Sequence, residues 1–376
     1  MSKPHILILG GVGFIGRNLV SMLLDGDLVG SLRVADKALP ATSYLNAAQK
    51  KNFEDARVDY VQANLSNPAT LTKVFTRGDG TQEFDYVFNL ASESKYSLAD
   101  EVYEERITAL SVGIAKEAAK RKIKGFMQLS TGQVYAYDKK PADESAKVKP
   151  WTNLAKYKLK AEDALKEIPG LNLVIIRTAA LYGPSDVTPR IIMGAVYRQL
   201  KEEMKLLWTK DLKINTVHVS DVVRAMWGAT VQVADGGLRK EPITKPELYN
   251  VCDKSESDQG SINEVIKSIF GIETGFQGTI ISQFAKLNLE SITEDVNEKH
   301  LEPWAQLCKE GGINSTPLTP YLDKELLRDN ALNMDGSLIE KRFGFQYLVP
   351  QFSESKVREM IKDFEDIGVW PKGTMK

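Results

Sequence analysis

Gly10-Gly11-Val12-Gly13-Phe14-Ile15-Gly16 stands between an apolar run, His5-Ile6-Leu7-Ile8-Leu9, and an amphipathic segment, Arg17-Asn18-Leu19-Val20-Ser21-Met22-Leu23-Leu24. That order predicts a buried parallel strand, a glycine turn and a helix. Each spaced glycine has its own physical role. Gly10 allows the tight turn, Gly13 lets backbone approach a pyrophosphate, and Gly16 lets helix and strand pack closely. Phe14 and Ile15 then fall in the first helical turn, where unpaired N–H groups and the helix dipole favour phosphate. Asp36 closes a second apolar run, Leu32-Arg33-Val34-Ala35, twenty residues after Gly16. A carboxylate placed there bonds the ribose hydroxyls of a bound dinucleotide. It also repels a 2′-phosphate, which favours NAD over NADP, with Lys37 softening the preference.

Working outward, apolar runs and amphipathic segments alternate, as in a parallel sheet covered on both faces. Further strands are expected at 58–62, 86–90, 125–129 and 173–176, with helices near 44–51, 99–120 and 152–166. Pro68, after Ser66-Asn67, suits the first turn of another helix. Beyond Arg177 the alternation loosens. Helices are expected near 189–205, 220–233, 262–270, 321–332 and 353–367, and a strand at 248–251; residues 274–319 show no clean period. The expected fold is α/β, a Rossmann-type doubly wound parallel sheet with a smaller C-terminal substrate lobe. Residues 1–180 form the dinucleotide-binding part, with core strands continuing to about 235, and residues 181–376 form the interleaved lobe.

The 376 residues are 43% hydrophobic and 26% charged, ordinary for a globular protein, and suffice for one large core or two smaller ones. Lys+Arg 49 against Asp+Glu 50 leaves a net charge of −1, so no global field draws the chain to nucleic acid or an anionic membrane. The basic cluster Lys120-Arg121-Lys122 has a local explanation, cations at a helix C-terminus. Cys252 and Cys308 make no disulfide framework and fit no metal spacing. His5, His218 and His300 are scattered, so no metal is expected. With Met1-Ser2-Lys3-Pro4 running straight into the first strand and no bilayer-length apolar run, the expected location is the cytoplasm.

Later landmarks carry a resemblance. Asn89-Leu90-Ala91 ends the fourth strand, Ser130-Thr131-Gly132-Gln133-Val134-Tyr135 follows the fifth, and Arg177 precedes Tyr182-Gly183-Pro184. Val217-His218-Val219-Ser220-Asp221-Val222, Tyr249-Asn250-Val251 and Gly344-Phe345 come in order after them. Together with the glycine turn and Asp36, the chain resembles the extended short-chain dehydrogenases/reductases, and within them the NAD-dependent epimerase/dehydratase family, from residue 5 to about 365. The resemblance implies NAD as cofactor, held by Gly10, Gly13, Phe14, Ile15, Gly16, Asp36, Asn64, Leu65, Leu90, Ala91 and Lys158.

It also implies a catalytic tyrosine, a lysine one helical turn later, and a Ser or Thr ending the fifth strand. Thr131 fills the last position, although its hydroxyl could equally cap the loop backbone. Pro150 to Asp163 sets the helix register, with Lys158 as the lysine and Leu154 where tyrosine should stand. Leucine has no proton to give. Tyr157 is three residues on, about 60° round the helix and about 4.5 Å along it. It is the substitute acid/base candidate, and otherwise packs or faces solvent. Other family positions are also changed: Ala180 replaces a substrate-binding asparagine, Ile214 (beside Lys213) replaces a diphosphate-clamping arginine, and Gly132 and Gln133 replace the dehydratase acid pair. Glu93 and Lys95, after the fourth strand, are unconventional polar candidates, with rim charges the plain alternative.

Two functions follow. In the first, the chain binds NAD(H) with reduced or no conventional activity, as a sensor, scaffold or assembly subunit, alone as a homodimer or within a larger complex. In the second, it is an active epimerase/dehydratase or hydroxysteroid-type oxidoreductase using Tyr157 and Thr131 on a non-standard small molecule. RNA binding, as in some plastid stem-loop-binding relatives, is disfavoured by the balanced charge.

Overall fold

A computed structural model describes residues 3–78, 83–136, 138–234 and 247–376. The glycine turn joins β1 (His5–Leu9) to α1 (Phe14–Asp25), and the alternation continues through β2 (Ser31–Asp36), α2 (Ala47–Phe53), β3 (Val58–Gln62), α3 (Pro68–Phe75) and β4 (Tyr86–Asn89). Next, α4 (Asp100–Tyr103) passes through a π-helical turn at Glu104–Ala109 into α5 (Leu110–Lys120). β5 (Gly125–Thr131), α6 (Asn153–Lys166), β6 (Leu173–Thr178), β7 (Ala180–Tyr182) and α7 (Pro189–Leu200) follow. The rest comprises β8 (Met204–Leu206), β9 (Thr216–His218), α8 (Val219–Ala234), β10 (Glu247–Val251), α9 (Gln259–Phe270), β11 (Thr274–Phe276), α10 (Thr279–Leu287), α11 (Leu289–Glu310), α12 (Ser337–Phe343) and α13 (Glu354–Asp366).

Seven strands form one sheet in the order β10-β6-β5-β4-β1-β2-β3, every pairing parallel. Parallel strands covered on both faces need apolar side chains on both, which is why Ile6, Leu7, Ile8 and Leu9 are all fully buried. The order reverses between β1 and β4, opening a crevice at the strands' C-terminal ends. The expected α/β sheet is therefore present, with one difference in extent: β10 lies beyond residue 235 and completes this sheet rather than belonging to a separate lobe.

A second apolar core unites α7, α9, α11 and α13 around Phe270, Trp304 and Trp370. Residues 274–310, without a clean period in sequence, hold β11, α10 and the long α11, which carries Pro303 inside it. The helix expected at 321–332 is absent. Polar groups of this segment reach across the chain instead: Glu325 accepts bonds from the N–H groups of Ser97 (2.9 Å) and Asn153 (2.6 Å), and Arg328 donates to the carbonyl of Trp151 (2.9 Å). The strap this forms lies over the start of α6. No helix among the described residues is long and apolar enough to cross a membrane.

Candidate functional site: a dinucleotide crevice at the strand ends

At the crevice, Gly10 has φ +78°, and a Cβ there would lie 2.8 Å from the backbone nitrogen of Ala91. A Cβ on Gly16 would stand 2.4 Å from Cα of Gly11, so close helix–strand contact requires glycine. Gly13 differs: its nearest neighbour would be the carbonyl of Gly10 at 3.4 Å, leaving its outer side open. No side chain caps α1, whose first-turn N–H groups face that space. Arg17 braces the turn by donating twice to the carbonyl of Val12, at 3.0 and 2.7 Å; burial draws its pKa down to about 10 against the pull of Asp36 and Asp363.

Asp36 accepts one backbone N–H on each oxygen, from Val12 and Ala38, both at 3.0 Å. Its carboxylate is thereby fixed and keeps lone pairs for hydroxyl donors. Leu90 and Ala91 press on Gly10, and Asn64 and Leu65 follow β3, with Asn64 accepting from the N–H of Ser66 at 3.1 Å. The glycine turn, Asp36, Asn64-Leu65 and Leu90-Ala91 thus meet at the ends of four adjacent strands. A spaced glycine with open room, a fixed carboxylate and uncapped helix N–H groups fit the phosphates and ribose of a dinucleotide.

At the other end, α6 runs back along β5. Thr152 caps the helix and donates to Gln133 Oε1 (2.9 Å), while ten residues later Glu162 accepts from Ser130 (2.5 Å). Lys158 lies one turn before Glu162 on the same stripe of α6. It is half-buried and makes no hydrogen bond or ion pair among the described residues; burial draws its pKa down to about 8, with Glu162 opposing. Thr131 does cap its loop, accepting the N–H of Gln133 at 3.2 Å, and its hydroxyl proton stays available.

Leu154 is 5% exposed, packed with Tyr103, Ile107, Tyr157, Tyr96 and Leu98. Tyr157 does not join Lys158. Its ring stacks on Tyr103 (centroids 5.7 Å, planes 22° apart), and burial with the nearby Asp100 carboxylate pushes its pKa up. Lys156 and Lys160 cover the ring at 5.0 and 5.8 Å. One residue turns a helix by 100°, so side chains at 157 and 158 point to different neighbours. Tyr157, the expected substitute, therefore packs against Tyr103 on a different side of α6 from Lys158.

Glu93 is spoken for as well. It accepts the N–H groups of Ser94 (2.9 Å) and Lys95 (3.1 Å), and Arg106 of the π-helical turn donates to it at 3.1 Å. Burial pushes its pKa up, but those donors outweigh it and hold the group ionised below its ordinary range. Lys95 is exposed. The Lys213 ammonium bonds the carbonyl of Glu256 (2.8 Å), and Ile214 bridges to Leu332, so neither offers a diphosphate clamp. Where the dehydratase acids would stand, a Cβ on Gly132 would meet the sulfur of Met334. The histidines are structural: His5 bonds Ser31, His218 bonds Ser220, and His300 bonds Tyr197. No group of three metal-ligating side chains exists among the described residues.

Sequence reasoning passed over Tyr96, whose hydroxyl accepts from Gln133 Nε2 at 3.0 Å and whose pKa burial pushes up to about 12. It carried no signal, because only the tertiary fold brings residues 96 and 133 together.

Residues 6–252 match the sequence model of the NAD dependent epimerase/dehydratase family. The chain belongs to that family. A candidate UDP-arabinose 4-epimerase from Arabidopsis thaliana is 27% identical over 167 residues, 43% of this chain and 37% of its own length. The dTDP-glucose 4,6-dehydratase of Streptomyces niveus is 29% identical over 203 residues, covering 50% of this chain and 57% of its own. The chain thus spans less than two thirds of either relative. Among solved structures, the dTDP-glucose 4,6-dehydratase DesIV of Streptomyces venezuelae, with NAD bound, superposes with a TM-score of 0.68 at 18% identity, covering 97% of this chain and 98% of its own. That likeness confirms the fold.

Proposed function

We propose that this member of the family holds NAD(H) in the crevice between β1 and β4 and does not run tyrosine-dependent redox chemistry there. When bound, the cofactor would supply a hydride acceptor or donor. Gly13 and the first turn of α1 would take its pyrophosphate, Asp36 its adenosine ribose, and Lys158 the nicotinamide ribose, with NAD preferred over NADP. Two features of α6 support the reading: the family's register sets Leu154 where the proton donor is expected, and Tyr157 is stacked on Tyr103. A chain of this kind serves as a redox-state sensor, scaffold or assembly subunit. The test is a fluorescence titration with NADH and NADPH, followed by hydride exchange against secondary alcohols, ketones and nucleotide sugars. Binding without exchange supports the reading, and turnover sensitive to Tyr157→Phe overturns it.

One observation favours a second reading. Lys158 makes no hydrogen bond or ion pair among the described residues, and burial draws its pKa down to about 8. In an active enzyme acting on a non-standard hydroxyl or carbonyl compound, Thr131 would hold the reacting oxygen and Lys158 would exchange its proton. Exchange insensitive to Tyr157→Phe but abolished by Lys158→Met selects this reading.

A further inference from the structure

Helix α10 is turned the wrong way round for a helix that serves only its own fold. Nine residues are too few to hold a helix in water unaided, so such a segment is normally fixed by burying its apolar stripe. Here Ala285 is the one buried residue, set against Leu207 and Trp208. Lys286 adds an ion pair to Asp329 (3.2 Å) and lies over the Trp208 ring at 5.7 Å. The apolar stripe faces away. Ile280 is 86% exposed, Phe284 48% and Leu287 87%, with Ile281 beside them at 42%. Positions 280, 284 and 287 fall within about 60° of one another around the helix, so they form one continuous outward ridge.

Charge, spacing and area decide what covers the ridge. Ser282 and Gln283 are neutral, and the sole charge of the helix, Lys286, is already paired. Two ridges can therefore meet face to face without bringing like charges together. The spacing is self-complementary, with Phe284 in the middle, Ile280 four residues before it and Leu287 three after. An antiparallel crossing sets Phe284 on its own copy and Ile280 on Leu287 of the partner subunit, as a two-fold contact requires. The four apolar side chains leave about 500 Å² open per copy, so two copies bury about 1,000 Å², the size at which a specific interface begins. An anionic membrane fits less well. The first turns of α11 present Glu290, Glu294, Asp295 and Glu298 to solvent, and an anionic headgroup layer repels them.

We propose that α10 is a homotypic docking ridge, through which two copies of this chain associate by Ile280, Phe284 and Leu287, packed antiparallel about a two-fold axis at Phe284. The ridge is tied to the strap over the start of α6. Lys286 pairs with Asp329 of the strap, and Trp208, against which α10 packs, donates to the carbonyl of Leu327 at 2.8 Å. Docking that fixes α10 therefore also steadies the strap. The proposal does not rest on the cofactor reading: a chain that binds no NADH would still pair through α10.

Analytical ultracentrifugation of the full chain, from low to high micromolar concentration, tests this. The wild-type mass should rise with concentration, and Phe284→Glu should weaken that association at least about thirtyfold, the effect of losing a central interface residue. If a second surface also pairs, the mass of Phe284→Glu falls by one association step instead of to the monomer. Leu348→Glu, at another exposed apolar side chain, should leave the association unaltered. Neither side chain is buried, so circular dichroism and urea unfolding of both variants at low concentration should match the wild type. Cysteine pairing reads the geometry separately. Cys252 and Cys308 are buried, so with diamide as oxidant Phe284→Cys should form a disulfide-linked dimer. Ile280→Cys should cross-link to Leu287→Cys and not to itself. A wild type that stays monomeric throughout, an association that Phe284→Glu leaves intact, or no cross-link at position 284 would overturn the proposal. So would cosedimentation of the wild type with phosphatidylcholine–phosphatidylserine vesicles that is lost in Phe284→Glu, because the ridge would then serve a membrane.

Discussion

Replacing Gly13 and Gly16 by alanine separates what the glycine turn does for the fold from what it does for a ligand. At Gly16 the added methyl would lie 2.4 Å from Cα of Gly11 and 2.6 Å from the carbonyl oxygen of Gly10. Both are backbone atoms and cannot swing aside. Carbon atoms pack at about 3.5–4.0 Å, so α1 must move by roughly 1 Å. Overpacking of that kind costs about 1–3 kcal/mol. It should also displace the N–H groups aimed at the phosphates. At Gly13 the methyl meets nothing closer than 3.4 Å, and the backbone, at φ −63°, suits any residue. Gly13→Ala should therefore leave stability within about 0.5 kcal/mol of the wild type, as for a surface change. The same methyl projects where a pyrophosphate would approach, so NADH should bind at least about tenfold more weakly, roughly 1.4 kcal/mol. Urea unfolding and NADH fluorescence titration on both variants read the two quantities independently. Unaltered NADH affinity in Gly13→Ala would refute the reasoning, because the open face of Gly13 would then have no ligand to serve.

Three further outcomes are expected. Tyr157→Phe should leave NADH affinity and any measurable turnover unchanged, since the ring is stacked on Tyr103; a drop in either would place the ring in the crevice after all. Glu162→Ala should destabilise the fold by about 3–5 kcal/mol, because it strands the guanidinium of Arg177, bonded at 3.0 and 2.5 Å, inside the protein; a loss under about 1 kcal/mol in urea unfolding would contradict this. His300 is fully buried, and burial draws its pKa down to about 4. The unfolded chain therefore takes up its proton first, and stability present above about pH 6.5 falls as pH drops toward 4 by roughly 2–3 kcal/mol. His300→Gln should flatten that limb of the stability profile, and an unchanged acid limb would rule the histidine out as its cause.

Much of the fold was legible because its signals are local. Buried parallel strands appear as unbroken apolar runs, and the glycine spacing that marks the turn at 10, 13 and 16 sits within a few residues of the strand and helix it joins. What failed depends on distant partners. Residues 321–332 carry a helical pattern, yet Glu325 and Arg328 bond to the loop after β4 and the start of α6, and the segment forms a strap. The long α11 was hidden by its internal Pro303 and its charged faces. At the site, the family's register sets Leu154 against the expected tyrosine. The packing of Tyr157 could not be read from sequence, because only the folded chain brings Tyr103 onto its ring.

The central claim is that this chain holds a dinucleotide at Gly10–Gly16 and Asp36 without a tyrosine to move the proton. It is tested most directly by loading the purified protein with NAD+ and following absorbance at 340 nm as secondary alcohols and nucleotide sugars are added in turn, with NADH binding measured on the same preparation. The account predicts saturable NADH binding and no absorbance change that depends on Tyr157. Saturable reduction of the bound cofactor that disappears in Tyr157→Phe, or no NADH binding at millimolar concentration, would contradict it.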